Sequence, residues 1–70
     1  MSVNQYLREK RLELGLSQDE VSQALGYAHR SEVHRLETGK IEWRLKHIFI
    51  LAELFNMSAG ELVAEIENNT

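Results

Sequence analysis

The chain has 70 residues, eight Lys and Arg against eleven Asp and Glu for a formal net charge of −3, 43% apolar residues, and neither Cys nor Pro. One domain over residues 1–70 is the most this length allows, and the missing Cys excludes a disulfide scaffold and thiolate-ligated zinc fingers. No run approaches the roughly 18 apolar residues of a membrane span and no signal peptide opens the chain, so the expected location is cytoplasmic, away from any membrane.

The apolar fraction is too high for a disordered acidic tail. A chain this short hides only about 60% of its unfolded surface, which leaves little room for an enzyme cleft and favours a partner or a dimer.

Start and stop signals predict five short helices. Ser2, with Gln5 three residues on, forms a capping box, and Val3, Leu7 and Leu14 share a face with Arg11. Gly15 ends that helix. Ser17-Gln18-Asp19-Glu20 is a second capping box, with two acids in the first turn to suit the helix dipole. Val21, Ala24 and Leu25 form its buried face and Gly26 stops it. A third helix is expected from about residue 29 to 38, with Val33, Leu36 and Glu37 on one side and Gly39 as the stop. A fourth runs from about residue 43 to 55, with Asn56 as a left-handed cap. Ser58-Ala59-Gly60-Glu61 opens a last helix to about Glu67, and residues 68–70 are expected to fray. No segment alternates strictly, so strands are not expected. The predicted fold is all-α, with helix, short turn and helix over about residues 17–38, a unit able to lay its second helix in a DNA major groove.

The charge is unevenly spread. Residues 1–26 carry three basic and four acidic groups. Residues 27–48 carry five basic groups, three acidic groups and all three histidines. The last 22 residues hold four glutamates and no basic group. This asymmetry says more about partners than the total does. At 100° per residue, Ser31, Arg35 and Thr38 point away from Val33, Leu36 and Glu37, with His34 beside them and Arg30 at the N-terminal end. Arg30 and Arg35 suit bidentate bonds to guanine O6 and N7, and Ser31 and His34 can reach base edges or phosphate. A solvated helix face explains the same set without DNA. Glu32 lies sideways, where the helix dipole favours an acid, with cytosine N4 as the alternative partner.

The order Arg11, Gly15-Leu16-Ser17-Gln18, Val21, Leu25-Gly26, Ser31, Val33, Leu36-Glu37-Thr38-Gly39-Lys40, then Leu45, Ile48, Ala52, Phe55, Met57-Ser58 and Glu61-Leu62 resembles the lambda-repressor/Cro-like (Xre-type) helix-turn-helix family over about residues 3–63. The most specific pieces are Gly-Leu-Ser-Gln and Leu-Glu-Thr-Gly-Lys. The resemblance implies a five-helix DNA-binding transcriptional regulator of bacterial, phage or mobile-element origin, usually a dimer on a palindromic operator. It also implies base reading by Arg30, Ser31 and Arg35, and a phosphate contact at Gln18. Three departures stand out. The turn Gly26–Ser31 is one residue longer than the commonest form, His29 replaces the usual Ser or Thr cap, and Trp43 stands where Pro is common.

Ser17, Gln18 and His29 at the starts of the second and third helices, with Thr38 and Lys40 at the far end of the third and Arg44 beyond it, are the expected phosphate contacts. At Gln18 the alternative is a plain capping box, which Ser17 and Glu20 satisfy without it; for Lys40 and Arg44 it is exposed charge. Arg11 and Glu37 each fall on an apolar face, where an isolated charge is costly, so each needs a partner. The resemblance pairs them in a structural salt bridge. On the fourth helix, Leu45, Ile48, Phe49, Ala52 and Phe55 are the expected core stripe. Trp43, His47, Ile50 and Leu54 fall within about a 60° sector opposite and read as an exposed dimer or partner surface, shared with the loop Met57, Ser58 and Ala59. Folding of Trp43 and Leu54 under the chain ends is the alternative.

His29, Glu32 and His34 lack the spacing of a zinc site, and no phosphate loop or nucleophile elbow is present. No metal, cofactor or catalytic residue is expected. The sequence thus points to a repressor binding double-stranded operator DNA as a homodimer, and alternatively to a protein–protein module of a toxin–antitoxin or mobile-element system.

Overall fold

The computed structural model describes residues 2–69, and among them five α-helices and no strand. α1 (Val3–Glu13) is capped by Ser2, whose hydroxyl accepts from the Gln5 N–H at 3.1 Å. α2 (Gln18–Ala24) and α5 (Ala59–Asn68) each start with a full capping box. Ser17 and Glu20 exchange two bonds of 3.0 Å, as do Ser58 and Glu61. α3 (Ser31–Glu37) and α4 (Leu45–Leu54) have no hydroxyl cap.

Gly39 ends α3 with φ +80°, and a Cβ there would sit 3.0 Å from the Asn4 side chain. Glycine takes that backbone without the cost a side chain would add. After α4, Asn56 takes φ +57°, a left-handed position that asparagine tolerates better than most residues.

α1 and α2 pack on α3, α2 on α4, and α4 on α5, in a body 30 × 23 × 22 Å across. Tyr6, Leu7, Val21, Val33, Leu51, Ala52, Phe55 and Leu62 are the buried cluster. The Tyr6 hydroxyl donates to Glu65, tying α1 to α5. Burial first, and then that carboxylate, push the Tyr6 phenol above its usual range. No single helix among the described residues is long and apolar enough to cross a membrane.

Several expectations about boundaries and faces are corrected. α3 begins at Ser31 rather than near His29. Tyr27 N–H bonds the Ser22 carbonyl at 2.9 Å and the Ser22 hydroxyl donates to the His29 carbonyl at 3.1 Å, which holds residues 27–30 in a turn. α4 begins at Leu45 rather than Trp43, because Arg44 is extended at φ −111°, ψ 162°. In α1, Tyr6 is buried and Leu14, on the cap beyond the last helical residue, turns outward. In α2, Ser22 is buried and Ala24 exposed. Of the expected fraying segment, Asn68 is helical, Asn69 returns its side-chain amide to the Glu65 carbonyl at 2.8 Å, and Thr70 lies outside the described residues.

The largest correction concerns α4. Ile48, Ala52 and Phe55 face inward as expected, but they do so with His47 and Leu51, while Leu45 and Phe49 are 68% and 57% exposed. The stretch Leu45–Leu54 is apolar on nearly every side. Periodicity therefore gives no unique inward direction, and packing against α2 and α5 sets it.

Candidate nucleic-acid interface

α3 is a two-sided helix. Val33 and Leu36 have no exposed surface and Glu37 is buried, while Ser31, His34 and Arg35 are exposed, with Arg30 exposed just before the first turn. The outward set carries no large apolar side chain. Thr38, just past the helix, donates its hydroxyl to the His34 carbonyl at 2.8 Å. Arg35 Nη1 donates to Glu32 Oε1 at 2.6 Å, an ion pair three residues apart on the same helix.

The buried side of α3 is fixed by a charge. Arg11 Nε donates to Glu37 Oε2 at 2.7 Å and Arg11 Nη2 to Glu37 Oε1 at 3.2 Å, with the two side chains only 9% and 3% exposed. Arg11 Nη1 donates to the Leu16 carbonyl at 2.8 Å, which fixes the chain leading into α2. Gln18 Nε2 donates to Glu37 Oε1 at 3.1 Å. One carboxylate therefore joins α1, the start of α2 and the end of α3. This fan of donors supplies the hydrogen bonds that a buried ion requires.

His47 anchors the other end of the unit. It is 2% exposed, and its Nδ1 accepts from the Arg44 N–H at 3.0 Å while Nε2 lies 2.7 Å from the Tyr27 hydroxyl. The Trp43 ring stands edge-on to it, with centroids 5.8 Å apart. An acceptor at Nδ1 fixes the neutral tautomer with the proton on Nε2. Burial first, then the nearby Lys46 and Arg44 charges, hold its pKa below the usual histidine value. Tyr27 belongs to the turn before α3 and Arg44 to the start of α4, so this imidazole couples both segments.

Among the expected phosphate contacts, Lys40 and Arg44 line one open groove of about 650 Å³, together with Ile41, Glu42 and His47. Thr38 and His29 are exposed at opposite ends of α3. Ser17 is engaged in its capping box and Gln18 is half-buried against Glu37. No three His, Asp or Glu side chains gather as a metal site among the described residues.

The expected stripe of Trp43, His47, Ile50 and Leu54 does not form one surface. His47 is buried, Trp43 and Leu54 are half-buried against the core, and so is Ala59. Ile50 lines a separate shallow groove of about 400 Å³ with Ala24, Glu53 and Leu54. The exposed apolar side chains of α4 are Leu45 and Phe49 instead.

Three of the side-chain pairs that sequence reasoning missed bear on this surface: Tyr27 with His47, Gln18 with Glu37, and Glu32 with Arg35. Only the last had a local signal, an acid and a base three apart on one helix. The other two join residues 20 and 19 apart in sequence.

A helix-turn-helix family model, of the lambda-repressor/Xre-like type, matches residues 7–62. Comparison with curated proteins and with solved structures gives no match. The matched span holds the Arg11–Glu37 pair, the Ser17 capping box, the turn before α3 and the whole of α3 and α4, and over that span the chain belongs to the lambda-repressor/Xre-like helix-turn-helix family of DNA-binding regulatory domains.

Proposed function

We propose that this protein is a transcriptional repressor that binds a palindromic operator as a homodimer, each copy laying α3 in one major groove. The observation that carries this reading is the polar face of α3, with Ser31, His34 and Arg35 exposed above a fully buried Val33 and Leu36. Arg30 and Arg35 read guanine, and Ser31 and His34 reach neighbouring base edges. Lys40 and Arg44 grip the backbone from their shared groove, with Gln18, Ser17, His29 and Thr38 adding phosphate bonds. Two half-sites read by a symmetric dimer lie about 34–36 Å apart, one DNA turn.

Leu45 and Phe49 support self-association, since an exposed Leu and Phe four residues apart make an apolar patch on α4. Lys46 and Glu53 are exposed on the same helix and lie almost symmetrically about Phe49. Two copies meeting antiparallel along α4 would set each Lys46 against the other's Glu53, the self-complementarity a two-fold interface needs.

Selection of binding sites from random duplex DNA tests the reading. The expected result is a palindrome whose half-sites contain G, with the preference at one position relaxed by Arg35→Gln. No enriched motif would overturn it. The Leu45 and Phe49 patch would then favour a protein–protein module of toxin–antitoxin or mobile-element type.

A further inference from the structure

The Glu32–Arg35 pair lies on the exposed face of α3 and is not needed for its packing. The side chains are 34% and 49% exposed, and an exposed pair of this kind contributes little to stability. Its geometry is selective. Glu32 takes Nη1 of the guanidinium, and no other hydrogen bond engages the Arg35 side chain among the described residues. The edge formed by Nε and Nη2 is therefore free. It is the same edge with which Arg11 takes both carboxylate oxygens of Glu37. Two acceptors side by side are also what guanine offers through O6 and N7.

We propose that Glu32 is a specificity-determining residue that acts by positioning Arg35, holding it by Nη1 so that the Nε–Nη2 edge faces a guanine. This rests on reading α3 as the groove helix. Two physical effects follow. A free Arg loses much side-chain freedom when it meets a base, and a braced one has given up part of that freedom beforehand. The Glu32 carboxylate also repels phosphate from the reading face, so Arg35 is less able to settle on the backbone at an arbitrary sequence.

The test compares wild type, Glu32→Ala, Glu32→Gln, Arg35→Ala and the double variant Glu32→Ala with Arg35→Ala by binding-site selection and by affinity for the selected duplex and a random duplex at one salt concentration. Arg35→Ala identifies the base pair that Arg35 reads. Glu32→Ala is expected to keep the melting temperature, to bind random duplex more tightly, and to lose about tenfold in discrimination at that base pair. Glu32→Gln keeps an acceptor without the charge, so it should also bind random duplex more tightly yet retain more discrimination than Glu32→Ala. Arg35→Ala should cost less discrimination in the Glu32→Ala background than in wild type, because the two act as a unit.

Unchanged discrimination in Glu32→Ala overturns the proposal while leaving DNA recognition by α3 intact. Lost discrimination at a different base pair, with the Arg35 position unaffected, overturns it in favour of a direct Glu32 contact with cytosine. A lower melting temperature with equal weakening on every duplex overturns it in favour of a role at the helix end. A wild-type protein that selects no motif overturns the DNA reading itself, and this inference with it.

Discussion

Glu37 takes three side-chain donors, two from Arg11 and one from Gln18, and that arrangement makes a charge tolerable in the interior. Arg11→Ala strands the carboxylate with Gln18 alone and is expected to cost about 3–5 kcal/mol in urea unfolding. An unchanged midpoint would show that the pair adds nothing to stability. A charge on an apolar face demands a partner, and the family resemblance named which two charges meet. The sequence could not show Gln18 as the third member, since an amide at a helix start is at home in solvent too. His47 was misread for a related reason: a histidine suits either face of a helix, and only Tyr27, 20 residues away in sequence, decides for the interior. The native state favours neutral His47, whose pKa is lowered chiefly by burial. Its contribution to stability is therefore fully present above the unfolded value of about 6.5 and is lost as pH falls through the lowered folded value. Urea midpoints between about pH 7.5 and 5.5 should fall more steeply in wild type than in His47→Gln. Parallel curves would place the acid sensitivity elsewhere.

Helix ends and helix faces differ in how far they can be read. The Ser17 and Ser58 boxes and the stops at Gly15, Gly26, Gly39 and Asn56 fall where local chemistry puts them, and all four stops take positive φ. The starts of α3 and α4 have no Ser, Thr, Asp or Asn cap, and there the local rules fail. Tertiary bonds set those ends instead, from Ser22 to the His29 carbonyl and from the Arg44 N–H to His47. Faces are legible on α3, where polar and apolar sides are distinct, and illegible on α4, where both sides are apolar. A pair of truncations tests the face of α4. Leu51→Ala is expected to cost about 2–5 kcal/mol, as a buried leucine should. Phe49→Ala, measured at protein concentrations low enough to keep the chain monomeric, is expected to change stability by about 0.5 kcal/mol or less, since that ring is mostly exposed on the single chain. Equal losses would mean that the helix is rotated from the orientation described.

The whole molecule separates its charges. Arg30, Arg35, Lys40, Arg44 and Lys46 fall on α3, its flanks and the start of α4, whereas α5 carries Glu61, Glu65 and Glu67 with no basic residue. α5 packs on α4, whereas α3 packs on α1 and α2. On the proposed reading, an acidic rear would lower affinity for arbitrary DNA and leave specificity to α3. The proposed dimer also belongs to this scale, because a small domain buries a limited share of its surface alone. Phe49→Glu should keep the fold and halve the mass measured by analytical ultracentrifugation; an unchanged mass would move the dimer surface off α4. By itself the sequence determined the helix count, the Ser17 and Ser58 capping boxes, the glycine stops, the need for a partner at Arg11 and at Glu37, and the outward polar face of α3. Each follows from chemistry within a few residues, or from the high cost of an unpaired buried charge, with the family resemblance naming Arg11 and Glu37 as each other's partner. Only the tertiary structure decided where α3 and α4 begin, that His47 lies inside, and that Leu45 and Phe49 lie outside. A helix apolar on both sides has no preferred rotation until neighbouring helices cover one of them.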